Sequence, residues 1–328
     1  MRFLFLTDTH IRGSNPQNRT DNLPESLRDK LVEVMEIASR YQVDYILHGG
    51  DFFDTPSPSL AVTADFLALF SACRIPVYTI PGNHDLFGAN QNSLPRTLLG
   101  FLARLGFIKL LEAGRPVYLD KHNCRVQISG QPYHYDMDRR DPELDYTIKK
   151  NGADMAIHLV HGMLVNEKSF PGDQTQIDQI LDTQAEITLC GHNHLGFGII
   201  EKNGKSFINP GALVRLSNHR SEITRPVQVV LINLDGNQIE STLLPLKTAR
   251  PGQEVLDRSK VEERNALQMK IDMFAQEIKQ VANMEQMNVK NIIDEVVQSL
   301  GESPQIRQEA LDRIARVEES LRYKGGQY

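Results

Sequence analysis

The chain has 328 residues, of which 40% are hydrophobic and 24% are charged, so it can form a large globular core with an appended module. Its net charge of −6 argues against a strongly basic nucleic-acid-binding domain. DNA is not excluded as a ligand, because bound divalent ions would change the local field. Any grip on DNA would then be patchy or shared with a partner.

Residues 1–245 alternate between predicted strands and predicted helices. Apolar runs predict strands, and apolar residues spaced by three and four predict helices. The predicted strands are 2–6, 43–47, 75–80, 126–129, 155–160, 187–190, 206–208, 227–234 and 239–244, and the predicted helices are 24–41 and 59–73. Asp235-Gly236 lies between the last two strands and predicts a hairpin. This order predicts an α/β fold, a two-sheet sandwich flanked by helices.

A change of composition near 245–252 predicts a linker, because Pro245, Pro251 and Gly252 interrupt regular structure. Beyond it, three apolar stripes at helical spacing predict a mostly helical C-terminal module. The stripes are Leu267, Ile271, Phe274, Ile278 and Val281; Ile292, Ile293, Val296, Val297 and Leu300; and Leu311, Ile314 and Leu321. We therefore predict two domains, 1–245 and 246–328.

Five short polar motifs each follow a predicted strand. In chain order they are Asp8-Thr9-His10, Gly50-Asp51, Gly82-Asn83-His84-Asp85, His161-Gly162 and Gly191-His192-Asn193-His194. The carboxyl ends of strands in α/β sheets form an edge where ligands bind, so the motifs are expected to meet there. Any one of them could be a turn or a pair of solvated histidines, but five together favour a metal site.

The residue types in these motifs suit a pair of divalent ions. Carboxylate, imidazole and amide ligands favour Mn²⁺, Fe²⁺ or Zn²⁺. A central carboxylate such as Asp51 can bridge two ions. Two ions about 3.5–4 Å apart can bind a water, lower its pKa and hold a phosphate for in-line attack. The motifs therefore predict a two-metal phosphoesterase, for which we expect Mn²⁺, with Fe²⁺, Zn²⁺ or Mg²⁺ as alternatives.

These motifs resemble those of the calcineurin-like metallophosphoesterase superfamily over roughly residues 1–215. The resemblance implies that Asp51 bridges the ions and that His84, not a ligand, donates a proton to the leaving oxygen or stabilises the transition state. It also implies that Asp85 orients His84. The implied ligands are Asp8, His10 and His194 for the first ion, and Asn83, His161 and His192 for the second.

Three further stretches resemble the DNA-repair nuclease branch of this superfamily, in particular bacterial SbcD-type exonuclease subunits. They are 49–58, Gly130-Gln131-Pro132-Tyr133 and Asn209-Pro210-Gly211-Ala212. This resemblance implies a DNA exo- or endonuclease subunit that forms a homodimer and docks its C-terminal helices on an SbcC-type coiled-coil ATPase partner. Asp54 stands where archaeal and eukaryotic members often carry a histidine. The predicted C-terminal helices replace a mixed α/β cap of many relatives.

Other polar residues near the motifs are candidate substrate contacts. His48 precedes Gly49-Gly50, and Arg215 follows the last metal motif with a side chain that suits phosphate. The remaining candidates, which are more typical of surface residues, are His134, His219 and Arg220.

Two other functions stay open at this point. The metal centre is equally compatible with a phosphodiesterase or phosphatase acting on a nucleotide or a lipid head group, and the acidic charge mildly favours that alternative. A non-enzymatic scaffold subunit is the other alternative, and it is disfavoured because all seven ligand positions are filled.

The cellular location follows from cysteine usage and hydropathy. Cys73, Cys124 and Cys190 form no CxxC pair and are typical of a reducing cytoplasm. The apolar run 3–6 is too short for a signal peptide, and no apolar run reaches about 18 residues. We therefore expect a cytoplasmic protein without a membrane span.

Overall fold

The structure, a computed structural model, describes residues 1–168, 172–236 and 238–259, together with six separate residues, 271, 305, 308, 309, 312 and 313. The chain divides into two compact units, Met1–Asp257 and Arg258–Tyr328. The six separate residues are helical, and the predicted C-terminal stripes otherwise lie outside the described residues.

The first unit contains fourteen strands and six α-helices among its described residues. The strands are β1 Arg2–Leu6, β2 Tyr45–His48, β3 Val77–Thr79, β4 Lys109–Leu110, β5 Val117–Lys121, β6 Cys124–Gln131, β7 Met155–Gly162, β8 Leu164–Val165, β9 Thr175–Gln176, β10 Ile187–His192, β11 Gly198–Lys202, β12 Lys205–Asn209, β13 Gln228–Asp235 and β14 Gln238–Pro245. The helices are α1 Leu23–Arg40, α2 Leu60–Cys73, α3 Leu98–Arg104, α4 Glu143–Tyr146, α5 Arg220–Thr224 and α6 Gly252–Val255.

Two six-stranded sheets form the body of this unit. The first has the strand order β14-β13-β1-β2-β3-β4, and the second has the order β11-β12-β10-β7-β6-β5. Strands β1 to β4 are parallel in the first sheet, as are β6, β7, β10 and β12 in the second. An apolar core with side chains from both sheets lies between them, and helices α1 to α3 cover the outer face of the first sheet. The predicted α/β sandwich is confirmed.

Strand β1 illustrates how the sequence builds these layers. Phe3 and Phe5 belong to the core between the sheets, whereas Leu4 and Leu6 belong to the core beneath the helices. All four are fully buried. Residues two apart on a strand share a face, so a strand buried on both faces reads as a continuous apolar run.

Helix ends follow local capping signals. The Asn22 side chain accepts a hydrogen bond from the Glu25 amide at 3.4 Å, and Pro24 occupies the first turn of α1. Ser59 caps α2 in the same way, and Arg74 ends α2 in a left-handed conformation. The predicted helices 24–41 and 59–73 therefore agree with the structure to within a residue or two at each end.

Sequence patterns do not predict the antiparallel edge strands β5 and β11. In β5 only Leu119 is buried, and no residue of β11 is fully buried. Edge strands with mixed, half-exposed side chains carry no alternation strong enough to mark them.

The segment after β14 packs on the first unit. The Leu246 amide donates a hydrogen bond to the Val227 carbonyl at 2.9 Å, and Val255 and Leu256 are buried. The first compact unit thus continues to Asp257, past the predicted boundary after residue 245. Within the described ranges, no helix is both long and apolar enough to cross a membrane.

Lys30 is a buried cation on the inner face of α1. Its side chain is 2% exposed, and its Nζ donates a hydrogen bond to the Leu213 carbonyl at 3.1 Å. Burial, and then the nearby Arg19 guanidinium, lowers the pKa of Lys30 to about 7. The folded protein therefore pays a free-energy penalty for keeping this side chain protonated.

Replacement of Lys30 by methionine is expected to change how stability depends on pH. Above pH about 7, folded Lys30 releases a proton that the unfolded chain keeps up to its ordinary pKa of 10.5. Wild-type stability should therefore rise in this interval relative to Lys30→Met, by at most about 1.4 kcal/mol per pH unit. Below pH about 7 both states are protonated, and the difference should be constant. Urea unfolding at pH about 6 and about 9 measures it.

The matched control for this experiment is Lys149→Met, at an exposed lysine. Its free energy of unfolding should follow the wild-type value at both pH values. An Lys30→Met variant whose difference from wild type is the same at pH about 6 and about 9 would contradict the prediction.

Candidate metal centre

Seven polar side chains converge where the parallel strands of both sheets end. Three of the seven follow strands β1 and β2, one follows β3, and the rest lie at the ends of β7 and β10 or just after β10. They are Asp8, His10, Asp51, Asn83, His161, His192 and His194. The structure brings together every ligand position that the sequence predicts.

Four of these residues have a left-handed backbone conformation. The φ angle is 52° at Asp8, 42° at His10, 51° at Asp51 and 69° at His192. Such a conformation costs a non-glycine residue about 1–3 kcal/mol and persists where surrounding contacts enforce it. Here the Asp8 amide donates to the Gly50 carbonyl at 3.1 Å, and the His10 amide donates to the Asp51 carbonyl at 3.0 Å. Hydrogen bonds between the two loops thus hold the strained turns.

The first group of donors consists of Asp8, His10, Asp51 and His194, whose donor atoms all lie within 4.8 Å of one another. His10 Nε2 lies 3.1 Å from His194 Nε2 and 3.7 Å from Asp51 Oδ2. His194 Nε2 lies 3.6 Å from Asp8 Oδ1. Two imidazole nitrogens and two carboxylates therefore surround one point.

The second group consists of Asp51, His161 and His192, with Asn83 beside them. His161 Nε2 lies 3.3 Å from Asp51 Oδ2 and 3.2 Å from Asn83 Oδ1. The Nδ1 of His161 lies 2.8 Å from the Gly49 carbonyl, which can only accept, so Nδ1 carries the proton and Nε2 faces the site. Asp51 belongs to both groups and is central to the arrangement.

The two carboxylates of the site, Asp8 and Asp51, differ in the direction of their pKa shifts. Burial raises the pKa of Asp8, and the neighbouring Asp51 charge raises it further, against the effect of His161. Burial would also raise the pKa of Asp51, but His161 and His10 hold it far below its ordinary value. Asp51 is therefore the stably ionised carboxylate of the site.

The histidines of the site also differ in the direction of their pKa shifts. Burial would lower the pKa of His161, but the Asp51 carboxylate raises it to about 9. Burial lowers the pKa of His192 to about 3, and burial together with His10 lowers that of His194 well below its ordinary value. His192 and His194 are therefore neutral donors, whereas His161 would release a proton when a cation binds. Imidazoles and buried carboxylates arranged in this way fit a pair of divalent ions.

His84 is the exposed member of the site. Its Nδ1 lies 2.9 Å from the Asp54 carbonyl and therefore donates to it, and its ring meets the His10 ring edge-on with centroids 4.7 Å apart. The His84 amide donates to Asp51 Oδ1 at 2.8 Å. Nε2 has no hydrogen-bond partner in the part of the chain that the structure describes, so it is free to meet a substrate.

Asp85 does not orient the His84 side chain. Its carboxylate is fully buried and accepts hydrogen bonds from the amides of Phe52, Phe53 and Gly82 at 3.2, 2.9 and 2.9 Å. Burial and the Asp51 charge raise the pKa of Asp85 to about 7. The predicted Asp85–His84 pair is not formed. Asp85 instead ties the loop after β2 to the loop after β3.

Two glycines permit the close approach of these loops. A Cβ atom at Gly82 would overlap the Asp51 carboxylate, and one at Gly50 would overlap the His161 imidazole. Gly50 also has a φ of +97°, a conformation that side chains disfavour. Substitution at either position would displace a donor.

His48 and Arg215 are packing residues, and the prediction that they contact substrate is wrong. His48 is fully buried, with Nε2 3.1 Å from Thr9 Oγ1 and Nδ1 accepting from the Gly50 amide at 3.2 Å. Burial lowers the pKa of His48 to about 3, so it is neutral. The buried Arg215 guanidinium donates to the carbonyls of Glu222 and Arg225 at 2.8 and 2.9 Å.

The weaker histidine candidates also bind protein groups. His134 Nε2 lies 2.9 Å from Asp145 Oδ1, and His219 caps α5 by accepting from the Ser221 amide at 3.4 Å. Arg220 is the exposed first residue of α5.

Asp54 and Tyr133 also line the site, and sequence reasoning gives neither of them a role there. Asp54 Oδ1 lies 3.5 Å from His10 Nδ1, and its Oδ2 lies 3.1 Å from Arg12 Nη1. The Tyr133 ring centroid lies 5.6 Å from that of His192. The sequence does mark both positions indirectly, because Asp54 lies in the SbcD-like run 49–58 and Tyr133 ends the SbcD-like run Gly130-Gln131-Pro132-Tyr133.

The chain combines a sandwich of two mixed sheets with seven oxygen and nitrogen donors at one edge. One carboxylate is common to both donor groups. These features define the class of binuclear metallohydrolases. The chain belongs to the calcineurin-like phosphoesterase family, whose sequence profile matches residues 1–196, more than half of its length. The predicted superfamily, and with it a metal-dependent phosphoesterase, is confirmed.

The chain is similar to named proteins of two functional kinds. The DNA double-strand break repair protein Mre11 of Methanococcus maripaludis is 30% identical over 104 residues, 30% of this chain and 27% of the relative. The protein of the same name from Saccharolobus solfataricus is 28% identical over 136 residues, 40% of this chain and 33% of the relative. UDP-2,3-diacylglucosamine hydrolase of Stenotrophomonas maltophilia is 34% identical over 209 residues, 58% of this chain and 78% of the relative. The chain therefore aligns with about a third or less of the two repair proteins and with most of the hydrolase.

Proposed function

We propose that this protein is a metal-dependent DNA exo- or endonuclease subunit of the SbcD type, acting in a repair or recombination complex. The observation that carries the proposal is the complete donor set centred on Asp51, with His84 beside it. The similarity to two repair proteins named Mre11 supports DNA as the substrate. The SbcD-like stretches 49–58, 130–133 and 209–212 support the narrower assignment.

The donor set would divide between two ions, with Asp51 in both groups. Two divalent ions in such a site polarise a phosphate and acidify a water molecule. Mixed carboxylate, imidazole and amide donors make Mn²⁺ the first candidate, with Fe²⁺, Zn²⁺ or Mg²⁺ as alternatives. The proposed ligands are Asp8, His10 and His194 for the first ion, and Asn83, His161 and His192 for the second.

His84 is the proposed general acid. The Asp54 carbonyl accepts the Nδ1 proton and thereby fixes the orientation of the ring. A proton on Nε2 can then be donated to the leaving oxygen of the phosphodiester, or stabilise charge on the phosphate in the transition state. Asp85 supports this arrangement through the backbone of Gly82, not through His84 itself.

Cleavage of end-labelled linear DNA tests the proposed function. The full chain is incubated with single- and double-stranded DNA in Mn²⁺, Mg²⁺ or Zn²⁺, and product lengths distinguish an exonuclease ladder from internal cuts. The expected result is cleavage that depends on Mn²⁺. Absence of cleavage with any ion, alone or with an SbcC-type ATPase, would reject the proposal.

A small-molecule phosphodiesterase or phosphatase is the second candidate function. Its support is the similarity to UDP-2,3-diacylglucosamine hydrolase, which extends over 78% of that relative. This candidate predicts rapid hydrolysis of a nucleotide-linked or lipid-linked phosphoester and no attack on DNA. The same preparations assayed on both substrate classes separate the two functions.

An exposed apolar surface beside α3 supports the proposed homodimer. Phe101, Leu105 and Phe107 are 54%, 56% and 51% exposed. A groove of about 790 Å³ lined by Ala103 and Ile108 is formed by the same segment and neighbouring residues. Large exposed apolar side chains grouped in this way mark protein interfaces.

Phe101→Glu is expected to convert the dimer to a monomer. A charge placed in a desolvated apolar contact removes the packing and adds a desolvation cost, which at a central position weakens association at least about 30-fold. Light scattering coupled to size-exclusion chromatography measures the mass. Leu144→Glu, at a 64% exposed leucine of α4, is the control and should keep the wild-type mass. If Phe101→Glu remained dimeric, this surface would not be part of the dimer interface.

The SbcD-type assignment also leads to a proposed partner protein and a proposed cellular compartment. The proposed domains are a nuclease domain, predicted as 1–245 and continued to Asp257 by the segment that packs on it, and a helical module in the rest of 246–328 that docks on an SbcC-type coiled-coil ATPase. Cys73, Cys124 and Cys190 are free thiols, which supports a reducing, cytoplasmic compartment.

A further inference from the structure

We propose that Tyr133 and Tyr135 form a stacking surface for the unpaired bases of a DNA strand beside the metal centre. This inference rests on the proposed nuclease function and adds the form of DNA that the site recognises, a strand whose bases are unstacked near the cleaved bond. Four features of the loop between β6 and α4 support it.

The first feature is the position of the loop. Strand β6 runs parallel to β7, so the loop leaves the sheet at the edge where His161 lies. The Tyr133 amide donates to the Pro81 carbonyl at 3.0 Å, and Gln91 Nε2 donates to the Tyr133 carbonyl at 3.0 Å. The Tyr133 ring lies 5.6 Å from the ring of His192. The loop is thus a wall of the metal centre.

The second feature is the rigidity of the loop. His134 points inward to Asp145, with Nε2 and Oδ1 2.9 Å apart. Asp138 accepts hydrogen bonds from the Tyr146 hydroxyl at 2.5 Å and from the Met163 amide at 2.7 Å. These partly buried contacts anchor the loop on both sides of Tyr135. A surface that is already ordered loses little entropy when it binds a ligand.

The third feature is the exposed ring of Tyr135. This side chain is 71% exposed, and the Arg139 guanidinium carbon lies 4.6 Å from its ring centroid. Arg139 Nε in turn donates to Asp173 Oδ2 at 2.7 Å. One face of the ring is therefore covered by a cation that a carboxylate holds in place, and the side chain is otherwise largely exposed. A rigid aromatic ring backed by a guanidinium is a good platform for a nucleobase.

The fourth feature is the charge of the loop. Asp136 and Asp141 offset Arg139 and Arg140, both of which are paired with carboxylates. The loop is therefore unsuited to binding the phosphate backbone by charge alone. Stacking on an aromatic ring requires no net charge, so this loop can contribute base contacts without a basic patch of its own.

Tyr135→Ala tests the proposal on a single-stranded oligonucleotide in Mn²⁺. We expect KM to rise roughly tenfold with little change in kcat, because loss of one stacking contact weakens binding and leaves the metal centre intact. Tyr135→Phe keeps the ring and should behave as wild type. Fluorescence anisotropy of the labelled strand without added metal should show the same loss of affinity for Tyr135→Ala.

The matched control is Tyr118→Ala. Tyr118 carries an equivalent cation, with the Arg125 guanidinium carbon 4.9 Å from its ring centroid. Arg125 lies near the start of β6, six residues before Gln131 at its end and so about 20 Å from the metal edge. Tyr118→Ala should keep the wild-type KM.

An oligonucleotide with abasic sites identifies the base as the recognised group. Wild type should bind and cleave this strand roughly tenfold less well than the normal strand, and Tyr135→Ala should show no further loss. The inference would be overturned if Tyr135→Ala had the wild-type KM on the normal strand and wild type had the same KM on the abasic strand. Cleavage by wild type would then still support the nuclease proposal. If wild type cuts no DNA, the proposed function is rejected. In that case anisotropy still tests the stacking surface, which is rejected if wild type binds normal and abasic strands with equal affinity.

Discussion

Replacing His84 by alanine is expected to lower kcat for phosphodiester cleavage by about a hundred- to ten-thousandfold while two ions per chain stay bound. The expected loss is large because Nε2 of His84 is a free imidazole nitrogen beside the donor set. Metal binding should survive because the contact of His84 with Asp51 is made by its backbone amide, which alanine retains. Steady-state kinetics in Mn²⁺ and elemental analysis of the dialysed protein measure the two quantities.

The control for this substitution is His122→Ala, at an exposed histidine in the turn between β5 and β6. It should retain the wild-type kcat. Added imidazole should restore part of the activity of His84→Ala, as expected for a missing proton donor. A wild-type kcat in His84→Ala would reject the assignment. A fall in metal content would instead make His84 a ligand, since its donor atom lies within 4.8 Å of those of His10 and Asp54.

The convergence of these seven side chains could be predicted because strand order and ligand chemistry reinforce one another. Apolar runs such as 2–6 mark buried parallel strands, and polar residues that follow them must gather at a common edge. The left-handed turns at Asp8 and Asp51 complete this geometry at residues other than glycine. Position along the chain was therefore enough to bring seven donors together, although not to fix their distances.

The partners of His84 could not be predicted, because one of them is a backbone atom. The family resemblance implies that His84 pairs with the adjacent carboxylate of Asp85. In the structure the carbonyl of Asp54 accepts the His84 proton, and Asp85 turns away to bind three amides. A carbonyl is present at every residue, so no side-chain pattern identifies the one that serves.

The failures at His48 and Arg215 have a different cause. Both lie close in sequence to metal motifs, and both have side chains that suit phosphate. His48 is a residue of β2 and is fully buried, whereas Arg215 satisfies carbonyls of a folded loop. Proximity in sequence to a site does not determine which way a side chain points, and burial is decided by packing at long range.

Asp51→Asn is expected to abolish binding of both ions, because Asp51 is the donor that the two groups share. Its Oδ2 lies 3.7 Å from His10 Nε2 and 3.3 Å from His161 Nε2, so loss of its charge affects both sides of the site. Mn²⁺ at about 100 times its Kd should stabilise wild type by about 2.7 kcal/mol for each bound ion, about 5 kcal/mol for two, and raise Tm by about 10–20 °C. Asp51→Asn should show no such rise. Thermal unfolding with and without Mn²⁺ measures the difference.

The stability of Asp51→Asn without added metal separates loss of a ligand from loss of the fold. Against the effect of burial, His161 and His10 hold the pKa of Asp51 far below its ordinary value, so its charge stabilises the fold, and a neutral amide should lower Tm without metal while leaving a cooperative unfolding transition. Asp145→Asn is the matched control, since Asp145 is a buried carboxylate that binds His134 and Arg140 instead. It should lower Tm with and without Mn²⁺ and keep the full metal-induced rise. A full rise in Asp51→Asn would show that Asp51 does not bridge the ions, and each ion would then have to be held by its own histidines.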